Sequence, residues 1–500
     1  MPVIDPIASF ARSNPNNQAL VDLASGRRWT YAELHAAVDQ LAAWLVEEFG
    51  PASGERVATL AKNCADMLIL HHASVRAGTI FVPLNWRLAT AEVDALTADA
   101  DPALLFVGSE FEAPDSASRT SPISTTTELG ESGSRPAPEA RRPFDEVATL
   151  LYTSGTSGRP KGVMLSEENA FWGCANFGYA NDVYTNSVFL CDMPLFHTAG
   201  LFAASRVPIQ AGGSVLVSQG FDAPVTLARL MDESLNVSHY FSVPQMAAWL
   251  WNEAGFDADR LQKLACWAIG GAPNPKASAE RFIKAGIRIA DGFGMSETCS
   301  AFGMPPQDLD LLSEKSGSCG PAFLSLEARI VNDDGEDLPS GDVGELWLRG
   351  PSITKGYWNQ PETTANAFSD GWLRTGDAGY LDDDGFLFLV DRKKDMFISG
   401  GENVYPAEVE AVIAELETIA ESAVVGVPDE RWGEVGRAYV IPVPGSTVSE
   451  EGILDHCRQR LARFKVPKTV IVTDTLPRTA SGKLQKHILR ARAEKEIAAG

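Results

Sequence analysis

Apolar positions along this chain recur with two periods. Thr30-Tyr31-Ala32-Glu33 is a capping box, and behind it Leu34, Val38, Leu41, Trp44 and Leu45 recur at helical spacing as far as Gly50. Val57-Ala58-Thr59-Leu60 then reads as a strand, and a helical stretch from Asp66 to Ala77 precedes a second apolar run, Thr79-Ile80-Phe81-Val82. Ala103-Leu104-Leu105-Phe106-Val107 follows a further helix, and this alternation predicts a mainly parallel sheet covered by helices. From about 112 to 142 the chain turns to Ser, Thr, Pro, Glu and Gly, which predicts a surface excursion outside the core. Alternation resumes at Ala148-Thr149-Leu150-Leu151-Tyr152 and runs to about Asp291. Short β-like runs at 327–331 and 344–348 follow, with Asp333-Asp334-Gly335 and Asp383-Asp384-Gly385 as hairpin turns. A calcium loop at Asp382 to Gly385 is the weaker reading, because the EF-hand register and its closing Glu are missing. Beyond Asp391, apolar runs at 422–427, 436–442 and 469–472 alternate with helical stretches. The expected fold class is α/β. A large N-terminal domain of helix-covered, mainly parallel sheets with a β-rich subdomain spans 1–390, a hinge 391–395, and a small mobile C-terminal α+β domain 396–500.

Composition supports two domains and excludes several functions. A chain of 500 residues exceeds one ordinary core, and 45% hydrophobic with 22% charged residues is the make-up of a packed protein. Forty-two Lys and Arg against 66 Asp and Glu leave a formal charge of −24, which repels nucleic acid and anionic membrane surfaces. A nucleotide can still be captured locally by backbone amides and a few cations. The seven cysteines are scattered with no C-x-x-C pair, so neither a zinc site nor a disulfide framework is expected. No apolar run approaches the roughly 20 residues that span a bilayer, so a cytoplasmic location without integral membrane association is expected. The sequence sets no oligomeric state; a homodimer is the common case among soluble enzymes.

The densest chemistry lies in Thr153-Ser154-Gly155-Thr156-Ser157-Gly158-Arg159-Pro160-Lys161, directly after an apolar strand. Its glycines let backbone approach a ligand, its hydroxyls and amides donate to phosphate oxygens, and Lys161 offsets their charge. The Walker pattern is absent, and a flexible linker is the plain alternative. Gly270-Gly271-Ala272-Pro273 opens a strand end into small residues, against which a flat group can lie. Asp291-Gly292-Phe293-Gly294-Met295-Ser296-Glu297-Thr298 begins like a dinucleotide fingerprint but lacks its third glycine.

Taken with Thr375-Gly376-Asp377, the stretch DRKKDMFISGGENVYPAEVE at 391–410 and PRTASGK at 477–483, these segments resemble, in order, the adenylate-forming enzymes. That family includes acyl-CoA synthetases, luciferases and the adenylation domains of peptide synthetases, and the likeness covers nearly the whole chain. It implies an AMP-forming acid–thiol ligase that uses ATP, Mg2+ and coenzyme A. Thr153, Ser154, Gly155, Thr156 and Lys161 would then handle phosphates. Gly270, Gly271, Ala272, Pro273, Asp291, Gly292, Phe293, Gly294 and Ser296 would line the nucleotide and acyl side. Glu297 falls on the magnesium carboxylate, as suits a hard cation bridging phosphates. Asp377 falls on the ribose ligand and Arg392 on a ribose or phosphate contact. Lys394 matches the hinge residue, Gly400 and Gly401 the pantetheine channel, and Lys483 the adenylation lysine. A mobile cation suits charge gathering on the α-phosphate during attack by a carboxylate.

His197, in Pro194-Leu195-Phe196-His197-Thr198-Ala199-Gly200, corresponds to the mouth of the acyl pocket, with a positioning or gating role; His71 and His72 are expected to be structural. Tyr240, Phe241, Trp267, Gly270 and Phe293 make the expected pocket aromatic and apolar, without an obvious cation. A hydrophobic monocarboxylate follows, with an aryl or hydroxycinnamate-like acid ahead of a medium- or long-chain fatty acid. A peptide-synthetase adenylation domain is disfavoured because no carrier domain is expected after the short tail beyond Lys483 and no Asp near Tyr240 awaits an amino group, while a stand-alone adenylation enzyme stays an alternative. An inactive nucleotide-binding protein is disfavoured because Glu297, Asp377 and Lys483 are all present.

Overall fold

The computed structural model describes residues 5–131, 143–153, 160–272, 274–392, 395–399, 402–429, 432–478 and 484–499, with backbone alone at 131, 391, 392, 402, 403, 498 and 499. Along the chain the strands are β1 (Gln18–Asp22), β2 (Arg28–Thr30), β3 (Arg56–Leu60), β4 (Ile80–Pro83), β5 (Leu104–Val107), β6 (Thr120–Pro122), β7 (Val147–Thr153) and β8 (Lys161–Ser166). Then come β9 (Val188–Cys191), β10 (Ser214–Val217), β11 (His239–Ser242), β12 (Cys266–Ile269), β13 (Ile289–Phe293) and β14 (Phe302–Gly303). The C-terminal part adds β15 (Glu327–Val331), β16 (Gly344–Arg349), β17 (Phe368–Ser369), β18 (Trp372–Leu381), β19 (Leu387–Arg392), β20 (Phe397–Ser399), β21 (Glu402–Val404), β22 (Ile419–Asp429), β23 (Gly433–Pro442) and β24 (Thr469–Val472).

Among the described residues these strands form four sheets. One has the order β6-β5-β3-β4-β7-β8 and another β14-β13-β12-β11-β9-β10-β1-β2. Both are parallel inside, and β8, β14 and β2 are antiparallel edges. A third sheet, β15-β16-β18-β17 with β19 on β18, is wholly antiparallel. The last, β21-β20-β23-β22 with β24 parallel to β23, belongs to the small C-terminal α+β unit. The α/β class with a β-rich region and a small C-terminal domain is therefore realised.

Helices fill the space between the two parallel sheets because their apolar faces are wide. Tyr31–Phe49 starts at the capping box, with Thr30 and Glu33 bonded reciprocally, and buries Leu34, Val38, Leu41 and Leu45. Ala65–Ala77 is buried nearly all round and carries His71 and His72. Burial disfavours the imidazolium, holding His71 well below its ordinary pKa and His72 down to about 3, so both stay neutral core residues.

The stretch from 112 to 142 departs from the expected excursion. Its described part contributes β6 to a sheet and the helix Thr125–Glu131, whose Leu129 packs on the main core. Its hydroxyls are turned inward, since Thr126 and Thr127 both bond the buried Asp66, which also pairs with Arg27. Polar composition hid a buried network there. The Asp382 to Gly385 segment is a turn whose Asp382 and Asp384 carboxylates lie 2.9 and 2.5 Å from Lys315 Nζ, which takes the place of a cation.

Candidate active site

The hairpin β7-β8 pairs Thr153 with Lys161, so the two ends of the Ser/Thr/Gly-rich segment between them are clamped side by side. Thr153 Oγ1 donates to the Lys161 carbonyl at 3.4 Å. Beside β8 runs a strap, residues 352–358, which behaves as a guest strand. Met164 N donates to Gly356 O at 2.9 Å, Trp358 N donates to Gly162 O at 2.7 Å, and Val163 bridges Tyr357. Gly356 has φ +125°, and a Cβ there would sit 2.4 Å from Thr364 Cγ2, so this turn requires glycine.

The strap carries Tyr357 into an acidic corner. Its phenol donates to Glu297 Oε1 at 2.8 Å, and its ring lies 4.9 Å from Lys161 Nζ. Glu297 is 7% exposed, and its carbonyl accepts from Thr354 N at 2.7 Å, so the strap holds both its backbone and its side chain. The turn that presents Glu297 is tied by Met295 N donating to Thr298 Oγ1 at 3.1 Å. It then passes through Cys299 at φ +58°, where the neighbouring Gly294 leaves room for the Cys299 carbonyl.

Gly292 and Phe293 end β13, and Phe293 packs 6.2 Å from Phe302 of β14. Gly271 has φ +82° and is exposed together with Ala272. Asp291 lies level with Ile269 in register, and its carboxylate accepts from Asn274 Nδ2 at 2.8 Å. Burial pushes its pKa up to about 7, against the opposing pull of the Asn274 amide. Within the protein this carboxylate is thus held by the Asn274 amide at the end of β13. Asp377 is 6% exposed in β18, donates through its amide to Thr375 Oγ1 at 3.1 Å, and stands opposite Arg392 in the β18-β19 register. Ser154, Gly155, Thr156, Pro273, Lys394, Gly400, Gly401, Lys483 and the Arg392 side chain lie outside the described residues. Arg478 and Leu484 bridge across the base of the segment that carries Lys483.

The expected pocket aromatics divide between two faces of one sheet. Phe241 packs 6.2 Å from Phe177 of the helix Glu167–Ala180 and covers Gly270. Tyr240 and Trp267 point to the opposite face, 1% and 0% exposed. Trp267 there meets Phe282 at 5.2 Å and donates to Ser242 Oγ at 2.8 Å. Successive strand residues alternate in direction, so Phe241 and Tyr240 cannot line the same cavity. Tyr240 and Trp267 are thus core residues. His197 follows Phe196, with ring centroids 4.6 Å apart, and leads into the π-helix Ala199–Arg206. The last residue of that π-helix, Arg206, forms a buried ion pair with Glu167.

Comparison with known families decides what this arrangement is. The AMP-binding enzyme family model matches residues 7–358, and the AMP-binding enzyme C-terminal domain model matches 408–483. The chain belongs to the adenylate-forming superfamily, as an acyl-CoA synthetase. It is 38% identical to a feruloyl-CoA synthase of Amycolatopsis sp over 494 residues, covering 96% of this chain and 97% of that one. It is 36% identical to an indoleacetate–CoA ligase of Aromatoleum aromaticum, covering 93% of each. The Bacillus subtilis o-succinylbenzoate CoA synthetase, solved with its acyl-adenylate intermediate, superposes with a TM-score of 0.87 at 32% identity, covering 98% and 97%.

The same Bacillus subtilis synthetase has been solved with ATP and magnesium, and the synthetase described here uses ATP, magnesium and coenzyme A. Its acidic corner fits the metal by its chemistry: one hard carboxylate, Glu297, already oriented by a phenol and set beside the β7-β8 hairpin and Lys161. Tyr357 has no signal in the sequence that ties it to Glu297, because it lies 60 residues beyond it, between a glycine and a tryptophan and outside every motif. The one local signal there is the glycine before it. Among the described residues no helix is long and apolar enough to cross a membrane.

Proposed function

We propose that this synthetase activates a hydrophobic aryl monocarboxylate of the hydroxycinnamate kind as its CoA thioester. The observation that carries the reading is the aromatic face built by Phe241 and Phe177 beside Gly270, an apolar surface suited to a planar ring. Relatives named for feruloyl, indoleacetyl and succinylbenzoyl substrates support it. A carboxylate oxygen of the acid attacks the α-phosphorus of ATP, and pyrophosphate leaves. Thr153, Ser154, Thr156 and Lys161 hold the phosphates, Asp377 the ribose, and Glu297 the magnesium, which neutralises phosphate charge when bound. Lys483 bridges the attacking and accepting groups. The small domain then turns about 391–395 at Lys394, withdraws Lys483 and brings Gly400 and Gly401 to the channel. The CoA sulfur attacks the acyl carbonyl carbon and AMP leaves. A thioester assay across ferulate, benzoate, octanoate and palmitate tests the substrate class. Ferulate or benzoate should be turned over fastest; palmitate or octanoate in front would replace the aryl reading with a fatty-acid one, as for the long-chain ligase FadD13 of Mycobacterium tuberculosis, 34% identical.

A further inference from the structure

The small domain touches the large one through a carboxylate whose two oxygens have different partners. Glu421 lies on β22 just after a register shift between Ile419 and Glu421, a bulge that re-aims its side chain. Glu421 Oε2 pairs with Arg478, the residue that flanks the segment carrying Lys483. With the Gln245 amide assigned the orientation that its two neighbours require, nitrogen toward the carboxylate, Glu421 Oε1 accepts from it at 3.2 Å, across the domain gap, on the helix Pro244–Asn252. The Gln245 amide is oriented by its other end, since its oxygen accepts from Trp249 Nε1 at 2.9 Å. Trp249 is in turn held by stacking on Phe221 at 5.9 Å. The relay thus runs from the helix Pro244–Asn252 of the large domain, through Gln245 and Glu421, to Arg478.

We propose that Glu421 is a positioning residue for adenylation, registering the base of the Lys483 segment against the large domain. The inference rests on the reading of Lys483 as the adenylation lysine. A long flexible cation gains from any device that fixes its root, because misplacement by an ångström is costly to a transition-state contact. Glu421 touches no reacting atom. Turning the small domain about 391–395 parts Glu421 from Gln245, so the relay serves the first half-reaction and is idle in the second.

The test uses full-length enzyme and the fastest acid among ferulate, benzoate, octanoate and palmitate. It compares ATP–pyrophosphate exchange with thioester formation from supplied acyl-AMP and CoA. Glu421→Ala and Gln245→Ala should each lower exchange by about tenfold. The double variant should be hardly worse than either single one, as expected of one relay. Thioester formation from acyl-AMP should stay within about twofold of the parent. Gln245→Ala keeps the Arg478–Glu421 pair, so it separates the interdomain link from damage inside the small domain. Equal losses in both half-reactions, or parental exchange in Gln245→Ala, would overturn the inference. Lys483→Ala serves as the reference: if it abolishes exchange while the relay variants do not, only the positioning role fails. If exchange survives Lys483→Ala, the reading of Lys483 fails and the inference with it.

Discussion

Two buried tyrosines in this molecule each donate to a carboxylate, and they do different work. Tyr240 OH lies 3.4 Å from Asp192 Oδ2, which also accepts from Thr226 Oγ1 at 2.7 Å and faces Arg229 at 3.9 Å. Burial raises the pKa of both Tyr240 and Asp192, and the cluster sits beneath the sheet, away from the β7-β8 hairpin. Tyr357 OH lies 2.8 Å from Glu297 Oε1, and the face of its ring is turned to the Lys161 ammonium. The first carboxylate is committed to Thr, Arg and Tyr partners of the core. The second lies beside the β7-β8 hairpin, where we propose that it holds a metal. Aromatic character alone does not mark a functional tyrosine; what its carboxylate faces does.

The comparison breaks most sharply at the carboxylates. Glu297→Gln should lower pyrophosphate release by about 100-fold or more, as loss of a group acting on transition-state charge does, whereas Asp192→Asn should leave turnover within about twofold while lowering the Tm. Equal kcat losses in the two variants would erase the distinction. At the next level, Lys161→Ala should slow acyl-AMP formation by about tenfold or more and spare thioester formation from supplied acyl-AMP, which single-turnover measurements of each half-reaction would separate. The tyrosines themselves give a smaller contrast. Tyr357→Phe should cost several-fold in kcat at nearly unchanged Tm, while Tyr240→Phe should remove about 1 kcal/mol of stability in urea unfolding at unchanged kcat.

A last contrast concerns acidity. Asp291 has a folded-state pKa raised to about 7 by burial, so its contribution to stability is fully present below the ordinary carboxylate pKa and is lost as pH rises through about 7. Relative to the parent chain, Asp291→Asn should therefore gain Tm between pH 5 and pH 8, read by calorimetry across that range. A constant difference across the range would show that Asp291 ionises as freely folded as unfolded.

Much of this was legible in the residues. The capping box at Thr30 and Glu33 declared its helix, and the alternation of apolar runs declared helix-covered, mainly parallel sheet without saying that it divides in two, because both depend on local chemistry and period. The order of motifs declared the family. Facing was less legible: Tyr240 and Phe241 are adjacent in sequence, and nothing in either residue says which side of β11 carries the helix Glu167–Ala180. Contacts made over long chain separations were hidden altogether. Tyr357 reaches Glu297 only because the strap docks on β8, and Thr126 and Thr127 reach Asp66 only after β6 has joined its sheet. Hydroxyl-rich sequence looks the same whether it faces water or a buried carboxylate.

The strap at 352–358 also determines where this polypeptide can be divided. Since it pairs with β8 and bonds both backbone and side chain of Glu297, it is part of the fragment that precedes it, although it follows the antiparallel strands β15 and β16. A two-piece enzyme opened at 359 or 360 would leave the first piece with its acidic corner whole. One opened before 352 would assign Tyr357 to the other piece, and reassembly would have to restore a guest strand before any catalytic complementation could register.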